Sequence, residues 1–171
     1  MIVARGKISL IVKKPKIRDF IRVIITTILQ LIFAILVAAF LQYVLKMETN
    51  GNAVLEMNMD VKFWITIVVQ LFGEELYKLL IFFVVLILIY KITKKRGLSI
   101  AIATTISLLC FAMIHATTYN SIVQILLLQG VASIFCFYNY LKTKNILTSY
   151  LQHLLLDAVP FILVMTDIMP K

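Results

Sequence analysis

Five side chains that are suited to catalysis lie inside stretches of otherwise apolar sequence. They are Glu74, Glu75, His115, His153 and Asp157. A charged side chain at the centre of a bilayer costs about 2.5 to 3.5 kcal/mol on insertion scales, so such residues are retained mainly where they have a function. The sequence therefore predicts that these five residues form the functional centre of the protein.

Two carboxylates and two imidazoles can perform several kinds of chemistry. A glutamate in an apolar environment gains proton affinity and can act as a general base. A histidine that has a hydrogen-bonding partner can stabilise a developing oxyanion. Peptide-bond hydrolysis uses these roles, but the same groups can hold a divalent metal or relay protons. The residue types alone leave a protease, a metal site and a transporter open.

Helical spacing places the two glutamates on different faces of one helix and places His153 and Asp157 on the same face of another. His153 and Asp157 are four residues apart and share a helix face. Glu74 and Glu75 lie about 100° apart around the helix axis, so we expect one to be catalytic or liganding and the other to support it. In a purely structural alternative, Glu74 and Lys78 form an ion pair at i,i+4 spacing. His153 and Asp157 would then be an ordinary interhelical hydrogen-bonded pair.

The elements that position these residues are predicted to be transmembrane helices. Of the 171 residues, 62% are apolar, and the mean hydropathy is +1.01, which is more apolar surface than one soluble core can bury. A helix needs roughly 20 apolar residues to cross a bilayer, and its backbone hydrogen bonds are satisfied internally. We predict an all-α integral membrane protein, a bundle of about five transmembrane helices. The predicted spans are residues 23–45, 63–90, 98–117, 121–141 and 146–165.

Basic residues are concentrated on one predicted side of the membrane. The net charge is +9, and most Lys and Arg residues lie before the first span or directly after the second and fourth. The positive-inside rule then places the N-terminus in the cytoplasm and the C-terminus outside. This placement argues against a nucleic-acid partner. Residues 1–22 are predicted to be a basic cytoplasmic or interfacial segment, and residues 23–171 a single transmembrane domain.

A shared site requires that the five residues lie at similar depths. At about 1.5 Å per residue, Glu74 and Asp157 each lie roughly 16 Å inside their spans, near the midplane. His115 lies about 25 Å along the third span, close to the opposite surface. We therefore predict that this span begins outside the hydrocarbon, around residues 98–103.

The order of the motifs resembles that of the CPBP family. This family comprises CaaX-processing endopeptidases and the Abi proteins, which are bacterial proteins tied to bacteriocin processing and self-immunity. The three motifs are Glu74-Glu75, Phe111-x-x-x-His115 and, two spans later, His153-x-x-x-Asp157. The resemblance extends to Gly130, Tyr138, Tyr140 and residues 142–146 and 149–153. It covers residues 63–161, the CPBP-like core.

The resemblance implies a role for each of the five residues. Glu74 would be the base that activates water, Glu75 its neighbour in the first motif, and His115 a partner that holds the water or a metal. His153 and Asp157 would stabilise the tetrahedral oxyanion or complete the site. Family members are described both as metalloproteases and as glutamate-dependent proteases. A divalent metal such as zinc, held by Glu74, His115 and His153, is therefore an open alternative to a metal-free site.

The resemblance also implies a substrate and a location. It predicts an endopeptidase of the bacterial cell membrane that hydrolyses a membrane-embedded or membrane-proximal peptide, in bacteriocin maturation or self-immunity. Two alternatives are a proton- or metal-coupled transporter and a catalytically silent immunity or binding protein of the same fold.

Two positions depart from the family pattern. The first motif usually reads Glu-Glu-x-x-x-Arg, but Leu79 occupies the arginine position, with Lys78 one residue earlier. An arginine there would sit four residues after Glu75, whereas Lys78 sits four after Glu74. The third motif ends in Asp157 where many members have asparagine, and an aspartate donates to an oxyanion only when it is protonated.

Overall fold

The computed structural model describes residue 9, residues 11–47 and residues 60–166. Within these ranges the chain forms helices and no β-strand, which confirms the predicted all-α class. Five helical segments are long and apolar enough to cross a membrane, and they match the predicted spans in order. They are Ile17–Val44, Val61–Thr93, Arg96–Thr117, Ile122–Thr143 and Ile146–Leu163.

The spans are built from α-helices and from short segments of different winding. The helices are α1 (Ile17–Ala39), α2 (Val61–Thr93), α3 (Arg96–Met113), α4 (Ile122–Gln124), α5 (Ile134–Thr143) and α6 (Ile146–Met165). A π-helical segment, Phe40–Val44, extends α1, and a 3₁₀ turn, Ile114–Thr117, extends α3. The fourth span passes from α4 to α5 through a π-helical segment, Ile125–Gly130, and a 3₁₀ turn, Val131–Ser133.

The ends of the helices show why the spans begin and turn where they do. The Asp60 side chain accepts a hydrogen bond of 2.8 Å from the backbone N–H of Phe63 and caps α2. Lys94 and Lys144 end α2 and α5 with a φ of 54°, so the chain turns at once into the next helix. The end of the bundle that carries these two turns is called the basic end below.

The described part of the N-terminal segment is attached to the basic end. The Asn145 side chain accepts from the backbone N–H of Lys13 at 3.0 Å and donates to the carbonyl of Lys13 at 2.8 Å. The backbone N–H of Ile146 donates to the carbonyl of Ile11. α1 then begins at Ile17, earlier than the predicted start at residue 23. Residues 1–8 and 10 of the predicted segment lie outside the described residues.

Two apolar clusters enclose a polar layer in the middle of α2. Towards the basic end, Leu79 and Phe82 of α2 are buried in one cluster, together with residues of α3, α5 and α6. Towards the opposite end, Phe63 and Leu71 of α2 pack around Phe161 of α6. The polar residues between these clusters are therefore shielded from both ends of the bundle.

A second polar group joins α1, α5 and α6 without any charge. This neutral network consists of Thr26, Gln30, Cys136, Asn139 and Gln152. The Thr26 hydroxyl accepts from the Asn139 amide at 2.8 Å and donates to the Gln152 carbonyl oxygen at 3.0 Å. Gln152 also donates to Gln30 at 2.9 Å and accepts from Asn139, and the Cys136 thiol donates to Gln30 at 3.3 Å. These bonds fasten α1 to the rest of the bundle.

Gly130 permits a close approach between the fourth span and α3. A Cβ atom at this position would lie 3.1 Å from the Cβ of Ala112 and 3.6 Å from the carbonyl oxygen of Leu108. Small residues at such crossings let membrane helices pack closely. This contact holds the fourth span, including Gln129, against the end of α3.

Candidate active site

A cavity of about 130 Å³ lies in the polar layer between α2, α6 and the connection that follows α3. Four of the five predicted residues line it. They are Glu74, His115, His153 and Asp157. The structure therefore brings three separate motifs to one site, and His115 reaches it from the 3₁₀ turn after α3. The fifth residue, Glu75, lies behind the cavity wall.

Glu74 is the carboxylate that faces the cavity. One of its oxygens accepts a hydrogen bond of 3.0 Å from the side-chain amide of Gln70, one helical turn earlier. The other oxygen lies 3.8 Å from Nε2 of His153, which is too far for a direct hydrogen bond. Polar atoms at such a separation are often bridged by water. Glu74 therefore keeps an oxygen available for a molecule in the cavity.

Glu75 points into the bundle and is saturated with donors. Its side chain is only 1% exposed. The Lys78 amine lies 2.5 Å from one of its oxygens, and Nδ1 of His153 lies 2.9 Å from the same oxygen. The Ser149 hydroxyl donates to the other oxygen. The two adjacent glutamates thus differ as their 100° separation predicts: one faces the cavity and the other supports the wall.

The structural alternative that paired Lys78 with Glu74 is wrong. Lys78 instead pairs with Glu75 at i,i+3 spacing, because both side chains face the interior while Glu74 faces the cavity. The Lys78 amine also lies 4.2 Å from the ring centroid of Phe111, a favourable cation–π geometry. Leu79, at the family's arginine position, is buried in the apolar cluster. Lys78 therefore provides a buried cation beside Glu75.

The hydrogen bond from Glu75 fixes the tautomer of His153. Glu75 is paired with Lys78 and so accepts hydrogen bonds, which assigns the ring proton of His153 to Nδ1. In the neutral ring Nε2 is then an acceptor, and this is the atom that faces Glu74. Glu75 and Lys78 thereby orient a ring that lines the cavity, although neither lines it.

His115 is oriented by a backbone group. Its Nδ1 lies 3.1 Å from the carbonyl oxygen of Phe111, which can only accept, so Nδ1 carries the proton. Nε2 of the neutral ring is left as an acceptor. The Phe111 ring, which is buried, packs edge-on against both His115 and His153.

Several polar residues of the cavity were not predicted. Gln70, Tyr119 and Gln129 line it together with the four predicted residues. Burial, with Asp157 and Glu74 nearby, raises the pKa of the Tyr119 hydroxyl, so it stays protonated. Two of them could have been found from helical spacing, because Gln70 lies four residues before Glu74 and Tyr119 lies four residues after His115. The position of Gln129 has no such relation to a predicted residue.

The side-chain geometry does not fit the metal set that the resemblance allows. Across residues 11–47 and 60–166, no three His, Cys, Asp or Glu side chains are grouped so that they could hold a metal ion. The two histidines direct Nδ1 to Glu75 and to a backbone carbonyl, an orientation that metal-binding histidines also adopt, so the misfit lies in the grouping of the side chains alone.

The sequence matches one known family. The family described as type II CAAX prenyl endopeptidase, Rce1-like, matches residues 58–159. This range includes α2 to α5, most of α6 and all five predicted site residues, and it excludes α1. It agrees closely with the predicted core of residues 63–161. No curated protein and no solved structure gives a match.

Proposed function

Because the chain belongs to the Rce1-like type II CAAX prenyl endopeptidase family, we propose that it hydrolyses a membrane-associated peptide in the cavity around Glu74. The proposal rests on the different environments of the two adjacent glutamates, Glu74 and Glu75. One carboxylate is open to the cavity, while the other is neutralised by Lys78 and holds a histidine of the cavity wall.

Glu74 is the proposed general base. A water molecule between Glu74 and Nε2 of His153 can donate one hydrogen to each, since the two acceptors are 3.8 Å apart. The oxygen of Glu74 that faces the cavity can accept the proton of this water, as a general base does. His115 presents a further acceptor to the same cavity. In this proposal the histidines hold and orient the water.

Hydrolysis of the peptide bond needs no reactant other than this water. The water oxygen bonds to the peptide carbonyl carbon while its proton passes to Glu74, and the carbonyl oxygen becomes an oxyanion. The C–N bond then breaks, and the leaving nitrogen takes the proton from Glu74. The Tyr119 hydroxyl and the Gln129 amide line the cavity as hydrogen-bond donors for the oxyanion. Asp157 joins them only in its protonated form.

The proposal also includes the membrane in which the protein lies, its orientation and its substrate. We assign the protein to the bacterial cell membrane, with the basic end and the N-terminus in the cytoplasm and the C-terminus outside. Its substrate is a membrane-embedded or membrane-proximal peptide, processed in bacteriocin maturation or self-immunity. The motif order and the placement of the basic residues support this assignment.

The experiment compares Glu74→Gln with Asp60→Asn. Membranes from cells that express each variant are surveyed by mass spectrometry for peptide N-termini that appear only with the native protein. We expect Glu74→Gln to lose these cleavages by at least a hundredfold, in line with the loss of a general base. Asp60→Asn makes the same chemical change on the same helix and keeps the cap, because asparagine caps as well as aspartate.

The controls separate loss of activity from loss of protein. Both variants must reach the native abundance in the membrane. Unchanged cleavage with Glu74→Gln at full abundance would overturn the proposal. If the native protein protects cells against a bacteriocin and Glu74→Gln protects equally well, the silent immunity protein would replace the peptidase.

A further inference from the structure

A groove between α1 and α5 offers a second binding site. Its volume is about 600 Å³ and its walls are mostly apolar. No side chain that lines it also lines the cavity around Glu74. Its α1 wall lies outside residues 58–159, which match the family. The groove is therefore independent of the proposed peptidase activity.

The groove runs along the membrane-spanning part of α1. Ile25 and Leu29 form its α1 wall, opposite Ile134 and Phe135. The distance along α1 from Arg18 to Leu29 is about 16 Å. The apolar walls remain open to the surroundings, since Ile25 is 52% exposed and Leu29 47%. Within a bilayer, the molecules that face such walls are hydrocarbon chains.

The walls of the groove are held in place by the neutral network. Thr26, which lines the groove, bonds through its hydroxyl to Asn139 and Gln152. Beyond Leu29, the rings of Phe33 and Phe135 pack at a centroid distance of 5.8 Å and join α1 to the fourth span. The groove is thus formed before any ligand arrives, which lowers the entropic cost of binding.

Cations crowd the end of the groove that lies nearest the basic end. Arg18 and Arg22 line it directly. The Lys142 amine lies 5.4 Å from the ring centroid of Tyr138, another lining residue. One carboxylate, that of Asp19, pairs with Arg22 at 3.0 Å. Among the described residues, these three cations and one anion leave a net positive charge beside the apolar walls.

We propose that this groove binds an anionic glycerophospholipid. Its phosphate lies against Arg18 and Arg22, and an acyl chain lies along Ile25 and Leu29. The apolar walls of the groove favour a lipid over free phosphate. The net positive charge at its cationic end favours an anionic lipid over a zwitterionic one. Clusters of Arg and Lys at the ends of membrane helices attract anionic headgroups for the same reason.

The test uses the full chain, purified in detergent and titrated with phosphatidylglycerol or phosphatidylcholine of identical acyl chains. Native mass spectrometry counts the lipids that remain bound. We expect saturable binding of phosphatidylglycerol and weaker binding of phosphatidylcholine. Arg18→Gln/Arg22→Gln should weaken phosphatidylglycerol binding about thirtyfold, because each cation contributes about fivefold. Ile25→Trp, which fills the groove, should weaken the binding of both lipids.

The matched control is Lys91→Gln/Arg96→Gln, which removes the same charge from the basic end away from the groove. It should bind phosphatidylglycerol as the native chain does. Equal binding of the two lipids by the native chain would overturn the proposal, as would an equal loss in the control. Unchanged binding by Ile25→Trp would also overturn it. If the native chain is a dimer and Ile25→Trp makes it a monomer, the groove belongs to a second copy.

Discussion

Two buried polar clusters meet on α6, where Gln152 belongs to one and His153 to the other. The neutral network around Gln152 joins α1, α5 and α6 through amides and hydroxyls. The charged cluster around His153 contains Glu75 and Lys78 and borders the candidate active site. Two adjacent residues of one helix therefore participate in groups of different chemistry.

The two clusters differ in what their burial costs. Neutral hydrogen bonds are sufficient to fasten membrane helices, and each contributes modestly. A buried ion pair is expensive to desolvate and is often no more stable than apolar residues of similar size. Stability alone therefore does not account for Glu75 and Lys78. In the proposed mechanism, Glu75 and Lys78 instead serve to orient the His153 ring, which faces Glu74.

The largest effect on this comparison is expected from Lys78→Met. Removing the cation leaves Glu75 buried without its charge partner, so we expect a loss of about 3 to 5 kcal/mol in the free energy of unfolding. The fluorescence of the single tryptophan, Trp64, reports unfolding in mixed micelles. The double variant Glu75→Gln/Lys78→Met should recover most of the loss, and equal instability of the two variants would contradict the charge argument.

A smaller effect is expected from Gln152→Leu in the neutral network. The change removes hydrogen bonds to Thr26, Gln30 and Asn139. At about 0.6 kcal/mol for each interhelical bond, the loss is about 2 kcal/mol. The same unfolding measurement checks it, with Leu155→Ala on the exposed face of α6 as the control. A loss as large as that of Lys78→Met would remove the distinction between the two clusters.

The smallest effect is expected from Ser107→Ala. The Ser107 hydroxyl donates to the backbone carbonyl of Lys78 at 2.7 Å, so the change removes one neutral bond near the charged cluster without altering its charges. We expect a loss of about 0.6 kcal/mol, read from the same unfolding curves. A loss of several kcal/mol would mean that proximity to Lys78, rather than charge, determines the cost.

Hydropathy predicted the five spans because lipid requires long apolar helices, whatever their partners. It did not predict the changes of winding at Ile125–Gly130 or Ile114–Thr117. Hydropathy is averaged over a whole span, so it carries no information on the winding of a single turn or on close approaches such as that of Gly130 to Ala112. The groove between α1 and α5 was missed for the same reason.

The motif residues were found because charge in an apolar span is conspicuous. The different orientations of Glu74 and Glu75 followed from their separation of about 100° around the helix axis. The partner of Lys78 could not be predicted in the same way, because i,i+3 and i,i+4 pairing are both possible on a helix. Lys78 pairs with Glu75 because both side chains are buried. Gln129 was missed because an uncharged amide in a membrane helix gives no such signal. The catalytic roles of the five residues stay predictions.

Glu75 and Lys78 lie one turn apart on the same helix, and this has a consequence for the biogenesis of the protein. A span enters the bilayer before it packs against the others, and each unpaired charge at its centre opposes entry by about 2.5 to 3.5 kcal/mol. Because the pair forms within α2, its two charges can neutralise each other during insertion. A cation supplied by a helix later in the chain, such as α3 or α6, would not yet be in the bilayer.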